Sequence, residues 1–437
     1  MTVTVVGGGL AGCEAAWALA ERGVHVNLME MRPMRPTAAH QTDRLAELVC
    51  SNSFKSVETS NAHGLLKAEL RRLGSLLLAC ADRAAVPAGS ALAVDRDAFS
   101  SDVHARISSH ARITVTRREV TDIPSPGIIA TGPLTSDGLS AALARRLDTD
   151  ALAFYDAIAP IVSQESLEEG RLYARSRYGK GGGDDYLNAA LDREQYEAFI
   201  AALISADQFT AHEFDAVPYF EGCLPIEVMA SRGVDTLRFG PMKPVGLPDP
   251  ATGRDPHAVV QLRREDRSGQ MWNLVGFQTR LRIPEQKRVF AMIPGLADAE
   301  FLRYGSIHRN TYINSPRALG PALTLKDDEQ VFLAGQLTGV EGYTESVATG
   351  LMAGINLARR LDGKPAMIPP PTTMLGGLYR YLSEADPAHF QPMNANFGLL
   401  DPLDGPKVRR GHAGKDEKKR RVVERAVTDF DGWAAGL

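Results

Sequence analysis

A Rossmann-like α/β domain interrupted by an α+β insertion is predicted by three stretches of this 437-residue chain. Near the start, VTVVGGGLAGCEAAWALAERGVHVNLME (Val3–Glu30) reads as strand, glycine turn, helix, strand and terminal acid. Far downstream, QVFLAGQLTGVEGYTESVATGLMAGINLARRL (Gln330–Leu361) reads as strand, Gly-rich loop and long helix. Between them, from Ala151 to about Lys326, turns and short alternating strands suit an α+β unit rather than a second doubly wound one. The length exceeds one core of ordinary size and agrees with two units.

Val3–Val6 is an apolar, β-branched run suited to a buried parallel strand, and Gly7-Gly8-Gly9-Leu10-Ala11-Gly12 follows at G-x-G-x-x-G spacing. Gly7 permits the tight turn, Gly9 lets the backbone approach a pyrophosphate, and Gly12 allows helix to pack closely on strand. The Ala-rich stretch Cys13–Arg22 then forms a helix whose N-terminus faces the phosphates, ended by Gly23. The second strand, Val24–Met29, finishes at Glu30, placed to accept hydrogen bonds from an adenosine ribose.

NAD and FAD share this fingerprint, and two later segments choose FAD. GIIATGPLTS (Gly127–Ser136) is a buried strand whose end, with Thr131 and Gly132, resembles the turn that brings the chain back beside the cofactor in two-dinucleotide flavoproteins. The Gln330–Leu361 stretch resembles their FAD-closing motif, with Gly335, Gln336, Gly342, Tyr343 and Glu345 near the flavin. The expected fold is therefore a glutathione-reductase-like flavoprotein. Its FAD-binding domain comprises 1–150 and 327–365, its substrate insertion 151–326, and a C-terminal helical segment with a basic tail 366–437. IPPPTT (Ile368–Thr373) serves as the linker into that last segment. Gly179–Gly183 follows a polar stretch and reads as a mobile loop, so NAD(P)H would arrive without a domain of its own.

No apolar run approaches the ~20 residues of a membrane span, and the N-terminus shows no secretion signal, so a soluble, cytoplasmic protein without a membrane partner is expected. The four cysteines are widely spaced with no CxxC pair, which argues against a zinc site or redox disulfide and leaves any useful thiol to act alone. Cys13 and Cys80 sit in apolar text and are expected to pack as core residues. Cys50 precedes Ser-Asn-Ser, and Cys223 stands just before Pro225 at a helix start; helix N-termini lower thiol pKa values, and these two are the candidate catalytic residues. The net charge of −4 conceals a basic run, Lys407–Arg425, centred on Lys418, Lys419, Arg420 and Arg421. It is either a solvated helix face or a phosphate-backbone contact.

GGGLAGCEAA, LVCSNSFKS (Leu48–Ser56), EGCLPIEVMA (Glu221–Ala230), GQLTGVEGYTES (Gly335–Ser346) and PMNANFGLL (Pro392–Leu400) together resemble the folate- and FAD-dependent tRNA (uracil-5-)-methyltransferases. The likeness runs from Val3 to about Leu403. The first motif is shared with the larger flavoprotein that modifies wobble uridines in tRNA, while the chain length and the PMNANFGL stretch favour the shorter methyltransferase. The resemblance implies that a one-carbon unit passes from 5,10-methylenetetrahydrofolate to C5 of the T-loop uridine of tRNA. Reduced FAD would supply the hydride and NAD(P)H would regenerate it, and carriage of the methylene by the flavin is left open. It also implies that His308 stacks on a pterin, the alternative being a structural histidine.

The chemistry fits the residues. Uracil C5 is a poor nucleophile until a thiolate adds at C6, so a cysteine is wanted. Reducing the attached methylene needs a hydride, which explains a flavin fold in a methyltransferase. Whether Cys50 or Cys223 attacks stays open. A small-molecule flavin oxidase or amine dehydrogenase is the alternative enzyme and leaves the basic tail and lone thiols unexplained. A third reading is an FAD- or tRNA-binding module without turnover.

Overall fold

The computed structural model describes residues 2–37, 39–147, 152–209, 224–403 and 412–436, with the backbone alone at 152–158, 307–309 and 412–415. The first stretch of chain forms β1 (Thr2–Val6), α1 (Leu10–Glu21), β2 (His25–Glu30), β3 (Ser53–Ser56), α2 (Ala62–Arg72), α3 (Leu76–Arg83), β4 (Ala85–Val86), β5 (Ala91–Val94), α4 (Arg96–Ser109), β6 (Ile113–Arg117), β7 (Gly127–Ile129) and α5 (Asp137–Leu147). The middle forms β8 (Leu152–Ile158), β9 (Ile161–Ser163), β10 (Leu172–Ala174), β11 (Tyr186–Leu191), α6 (Arg193–Ser205), α7 (Ile226–Ser231), β12 (Ala258–Arg264), β13 (Met271–Leu274), α8 (Ile283–Phe290), β14 (Phe301–Arg303) and β15 (Ser306–Tyr312). The chain then returns through α9 (Ser315–Ala318), β16 (Thr324–Leu325), β17 (Asp328–Leu333), α10 (Tyr343–Leu361), α11 (Met374–Glu384) and α12 (His412–Ala434).

The central sheet runs β16-β17-β7-β1-β2-β6, parallel except for β16. Val5 pairs with Leu28 on one side and Ile128 on the other, and Ile128 pairs in turn with Phe332, so both ends of the chain build one sheet. Its strands are covered on both faces, which is why they read as apolar runs. Helix α1 lies against α10 at backbone distance. A Cβ on Gly350 would sit 2.2 Å from the Ala11 carbonyl, and one on Gly354 would sit 2.6 Å from that of Ala15. Two buried carboxylates hold further helix starts, each accepting from a pair of amides: Glu14 from Leu76 and Leu77, Glu69 from Met374 and Leu375. Burial pushes them up to about 7 and about 8 respectively.

The insertion is an antiparallel sheet, β10-β11-β12-β13-β9-β14, with its own core of Tyr196, Phe199, Val260, Leu262, Phe277 and Phe290. Asp192 and Gln195 cap α6 reciprocally, the side chain of each accepting from the other's backbone N–H. The two-stranded ribbon β8–β15 is the neck joining this unit to the first. Two expectations are corrected here. Residues 313–325 belong to the first unit rather than the insertion, because Ile313, Leu319, Leu323 and Leu325 bury their side chains in its core. The loop at Gly179–Gly183 is tethered rather than free: Asp185 accepts from the amides of Gly89 and Gly182, and Lys180 pairs with Glu58 at 2.7 Å.

The C-terminal helices are part of the first core, not an appendage. In α12 the stripe Val422, Ala426 and Phe430 is buried, and Arg72 pairs with Asp431 at 2.6 Å.

Candidate active site

A cleft opens at the C-terminal ends of β1, β2, β7 and β17, where the strand order reverses on either side of β1. Open α/β sheets bind ligands at this point. Gly7, at φ +105°, makes the turn, and a Cβ there would sit 2.5 Å from the Ala130 carbonyl. A Cβ on Gly12 would lie 1.8 Å from the Gly7 carbonyl, which is the close helix-on-strand packing expected of it. A Cβ on Gly9 would meet nothing within 4 Å. That open space faces the start of α1, whose first-turn amides have no carbonyl one turn earlier to bond. A cradle that any side chain would fill, with amides and the positive helix end turned toward it, fits a dinucleotide pyrophosphate.

Gly7, Gly8, Gly9, Leu10, Ala11 and Glu30 line the cleft, as do Thr131, Gly132, Gly335, Gln336 and Tyr343. Gly12, Gly342 and Glu345 do not line it. Glu30 is almost fully engaged by the protein itself. Its Oε1 accepts from the backbone N–H and Nε of Arg32, and its Oε2 from the Gly8 amide and Arg32 Nη2. Burial would raise its pKa, but the Arg32 guanidinium and the two amides outweigh that and hold the carboxyl below its usual range. Arg32 also reaches Glu47 at 3.2 Å, and nearby His40 is pushed down to about 4 by burial and by the Arg32 charge, so it is neutral at pH 7.

Glu345 is turned to structural use. Its carboxylate accepts from the Ala395 amide at 2.8 Å and lies 3.2 Å from His63 Nδ1, tying the Pro392–Leu400 stretch to the start of α10. Burial opposes its charge, yet His63, the Lys55 charge and the Ala395 amide keep its pKa below the ordinary value. Beneath it Lys67, fully buried, donates to the carbonyls of Ser56 and His63, and burial pushes its ammonium down to about 7.

Cys50 is half-buried beside this cleft but does not itself line it. Its backbone N–H donates to the Tyr343 hydroxyl at 2.9 Å, and its neighbour Val49 lines the cavity. Residues of the insertion surround it. Arg303 Nη2 donates to the Val49 carbonyl, and Asn52, fully buried, donates to the Arg264 carbonyl and accepts from Arg263 Nε. Cys13 and Cys80 are buried thiols whose pKa burial raises, that of Cys80 to about 12, and they pack as expected. Cys223 lies outside the described residues. Immediately after it, Ile226 N–H donates to the Gln278 carbonyl, and Glu227 accepts from Thr279 and Arg280.

His308 sits on β15 opposite Asp156, on the ribbon that passes beside the 132–134 and 336–338 turns. In α12, Lys418 and Lys419 are exposed, Arg421 is partly covered, and Arg420 is committed to Glu417 and Glu424 at 2.8 and 2.6 Å. Arg32, Asn52, Arg96 and Arg303 escaped the sequence reading. Asn52, Arg96 and Arg303 work through partners distant in the chain or through backbone carbonyls, which leave no local motif, while Arg32 pairs with Glu30 only two residues away, a spacing that no motif marks.

Comparison with known proteins agrees with this geometry. A family model described as glucose inhibited division protein A matches residues 2–365. The methylenetetrahydrofolate–tRNA-(uracil-5-)-methyltransferase TrmFO of Geobacter sulfurreducens is 56% identical over 435 residues, covering 99% of each chain. The protein of that name from Geotalea daltonii is 54% identical over 433 residues, covering 99% of this chain and 98% of its own. Among solved structures, GidA of Aquifex aeolicus shares the fold with a TM-score of 0.69 at 16% identity, over 99% of this chain and 74% of that one.

Proposed function

The chain belongs to the glucose inhibited division protein A family and, within it, to the methylenetetrahydrofolate–tRNA-(uracil-5-)-methyltransferases, and we propose that its reaction is carried by Cys50 beside the cleft. It is an FAD- and folate-dependent tRNA uracil-5 methyltransferase. FAD would be held by the Gly7–Gly12 turn and α1 N-terminus at its phosphates, Glu30 at its adenosine end, and Thr131, Gly132, Gly335, Gln336 and Tyr343 at its flavin end. When bound, it supplies the hydride that turns methylene into methyl.

The protein's share is nucleophilic and positional. The thiolate of Cys50 adds to uracil C6, and the ring electrons move to C5, which attacks the methylene carbon of the folate and breaks the first of its two bonds to folate nitrogen. A base then removes the C5 proton, which expels the second nitrogen and leaves an exocyclic methylene on C5, and addition of a hydride to that methylene drives elimination of the thiolate from C6. Cys223 is the residue proposed for the proton, and the reverse assignment of the two thiols remains the competing form of this reading. NAD(P)H is the proposed source of electrons, the T-loop uridine the proposed target, and His308 a proposed contact for the pterin. The observation that supports the reading is the Cys50 amide on the Tyr343 hydroxyl, which ties the loop of this thiol to a residue that lines the cleft. The larger wobble-uridine flavoprotein is disfavoured, since the methyltransferase relatives match this chain over almost their whole length.

The test is incubation of unmodified tRNA with methylenetetrahydrofolate and NAD(P)H, followed by nucleoside analysis. Wild type should form 5-methyluridine, while Cys50→Ala and Cys223→Ala should each keep FAD and NAD(P)H oxidation but form none. Substantial methylation by the double variant would end the thiol mechanism.

A further inference from the structure

Three successive carbonyls lead into the Cys50 thiol, and each is held by a guanidinium. Arg96 Nη1 donates to Leu48 and its Nη2 to Cys50 at 2.9 Å, while Arg303 Nη2 donates to Val49 at 2.8 Å. The remaining edge of Arg96 faces the insertion: its Nε donates to Glu265 Oε2 at 2.6 Å. Glu265 is 1% exposed, and its other oxygen is buried without a hydrogen-bond partner among the described residues, so its one engaged oxygen is committed to Arg96. Arg96 itself opens α4, directly after the Asp95 cap, and its backbone is therefore fixed.

We infer that Arg96 is a positioning residue: it clamps the Leu48–Cys50 backbone so that the thiol points at the substrate base, and Glu265 sets the clamp when the insertion is docked. The inference rests on the reading of Cys50 as a reacting thiol. Its physical basis is the shape of the guanidinium. A planar fork donates from three edges at once, and here it spans two carbonyls and a carboxylate; an ammonium carries the same charge but cannot hold that geometry. Arg303 contributes from the other side, and burial together with the neighbouring Arg96 charge lowers its pKa, as two guanidinium groups sharing one loop require.

The test compares Arg96→Lys, Glu265→Gln and Glu265→Ala in the full chain with FAD bound. Flavin content, flavin reduction by NAD(P)H without tRNA, KM for tRNA, and kcat for 5-methyluridine formation are measured for each. Arg96→Lys should keep flavin, reduction rate and KM and lose on the order of 10²-fold in kcat, the cost of misplacing a reacting group by about 1 Å. Glu265→Gln, whose amide oxygen still accepts from Nε, should retain most of the activity, and Glu265→Ala should fall with Arg96→Lys. Wild-type kcat in Arg96→Lys overturns the inference, as does a loss that flavin reduction shares in equal measure. Should Arg96→Lys fail to fold, equal kcat in the two Glu265 variants overturns it. Methylation by Cys50→Ala would instead sink the underlying thiol reading, whereas an inactive Cys50→Ala beside an active Arg96→Lys removes the clamp alone.

Discussion

The Tyr343 hydroxyl accepts a hydrogen bond from the Cys50 amide, joining two residues 293 positions apart at 2.9 Å. One opens the helix that borders the cleft, and the other carries the thiol proposed to react, so the cleft and the proposed nucleophile are referenced to a single oxygen atom. Tyr343→Phe should lower global stability by about 1 kcal/mol, the ordinary net worth of one hydrogen bond. It should lower kcat for methylation by a larger factor while leaving flavin content intact. Chemical denaturation and single-turnover methylation separate the two effects, and a kcat loss no greater than the stability loss would assign Tyr343 to packing.

The glycines of the first turn should divide by what their missing side chains would strike. Gly9→Val fills open space and should yield folded, colourless protein, since only the cofactor's approach is obstructed. Gly12→Val would drive its side chain into the Gly7 carbonyl and should cost the fold itself. Flavin absorbance and circular dichroism read the two outcomes. A full flavin spectrum in Gly9→Val would overturn the assignment of the cradle.

The basic helix should bind tRNA unevenly. Lys418 and Lys419 are exposed, while Arg420 already has two carboxylates. Neutralising both lysines should flatten the slope of log affinity against log salt by about 1 to 2, as loss of two phosphate contacts requires. Arg420→Ala should change it little. An unchanged slope in the double lysine variant would return this face to the solvent.

Buried Lys67 predicts a pH dependence whose sign is fixed. An unfolded lysine holds its proton to about pH 10.4, whereas the folded one releases it near 7, so between those values the unfolded chain binds more protons. Stability therefore gains from this group as pH rises from about 7 to about 10. The difference in unfolding free energy between wild type and Lys67→Met should grow in favour of wild type across that range. A flat difference would show that Lys67 titrates as an exposed lysine.

The parallel sheet and its cleft were legible because Gly7, Gly9, Gly12 and the apolar β1 and β17 runs obey local rules of spacing and period. What the sequence left unread was set by distance along the chain. Glu30 was read as the acceptor for an adenosine ribose, but nothing in the text announced that Arg32 and the Gly8 amide also bond both of its oxygens. Glu345 was read as a flavin neighbour, and its bonds to Ala395 and His63 were not foreseen. Arg96 touches the thiol loop only through carbonyls, which every residue type has, so nothing in the text marks its target. The insertion boundary slipped for a related reason: α9 and β16 are too short to show a period, and only the burial of Ile313, Leu319, Leu323 and Leu325 in and around them reveals the unit they belong to.

The contact of Gly350 and Gly354 with Ala11 and Ala15 sets an order of events during synthesis. The dinucleotide fingerprint leaves the ribosome first, but the strand β17 beside β7 and the helix that covers α1 follow only after the whole insertion has been made. A nascent chain halted within the insertion would present an unpaired β7 edge and an alanine-lined helix face to its surroundings. Acquisition of the cofactor is thereby postponed until more than three quarters of the polypeptide has been translated, and the insertion must fold while its host is still incomplete.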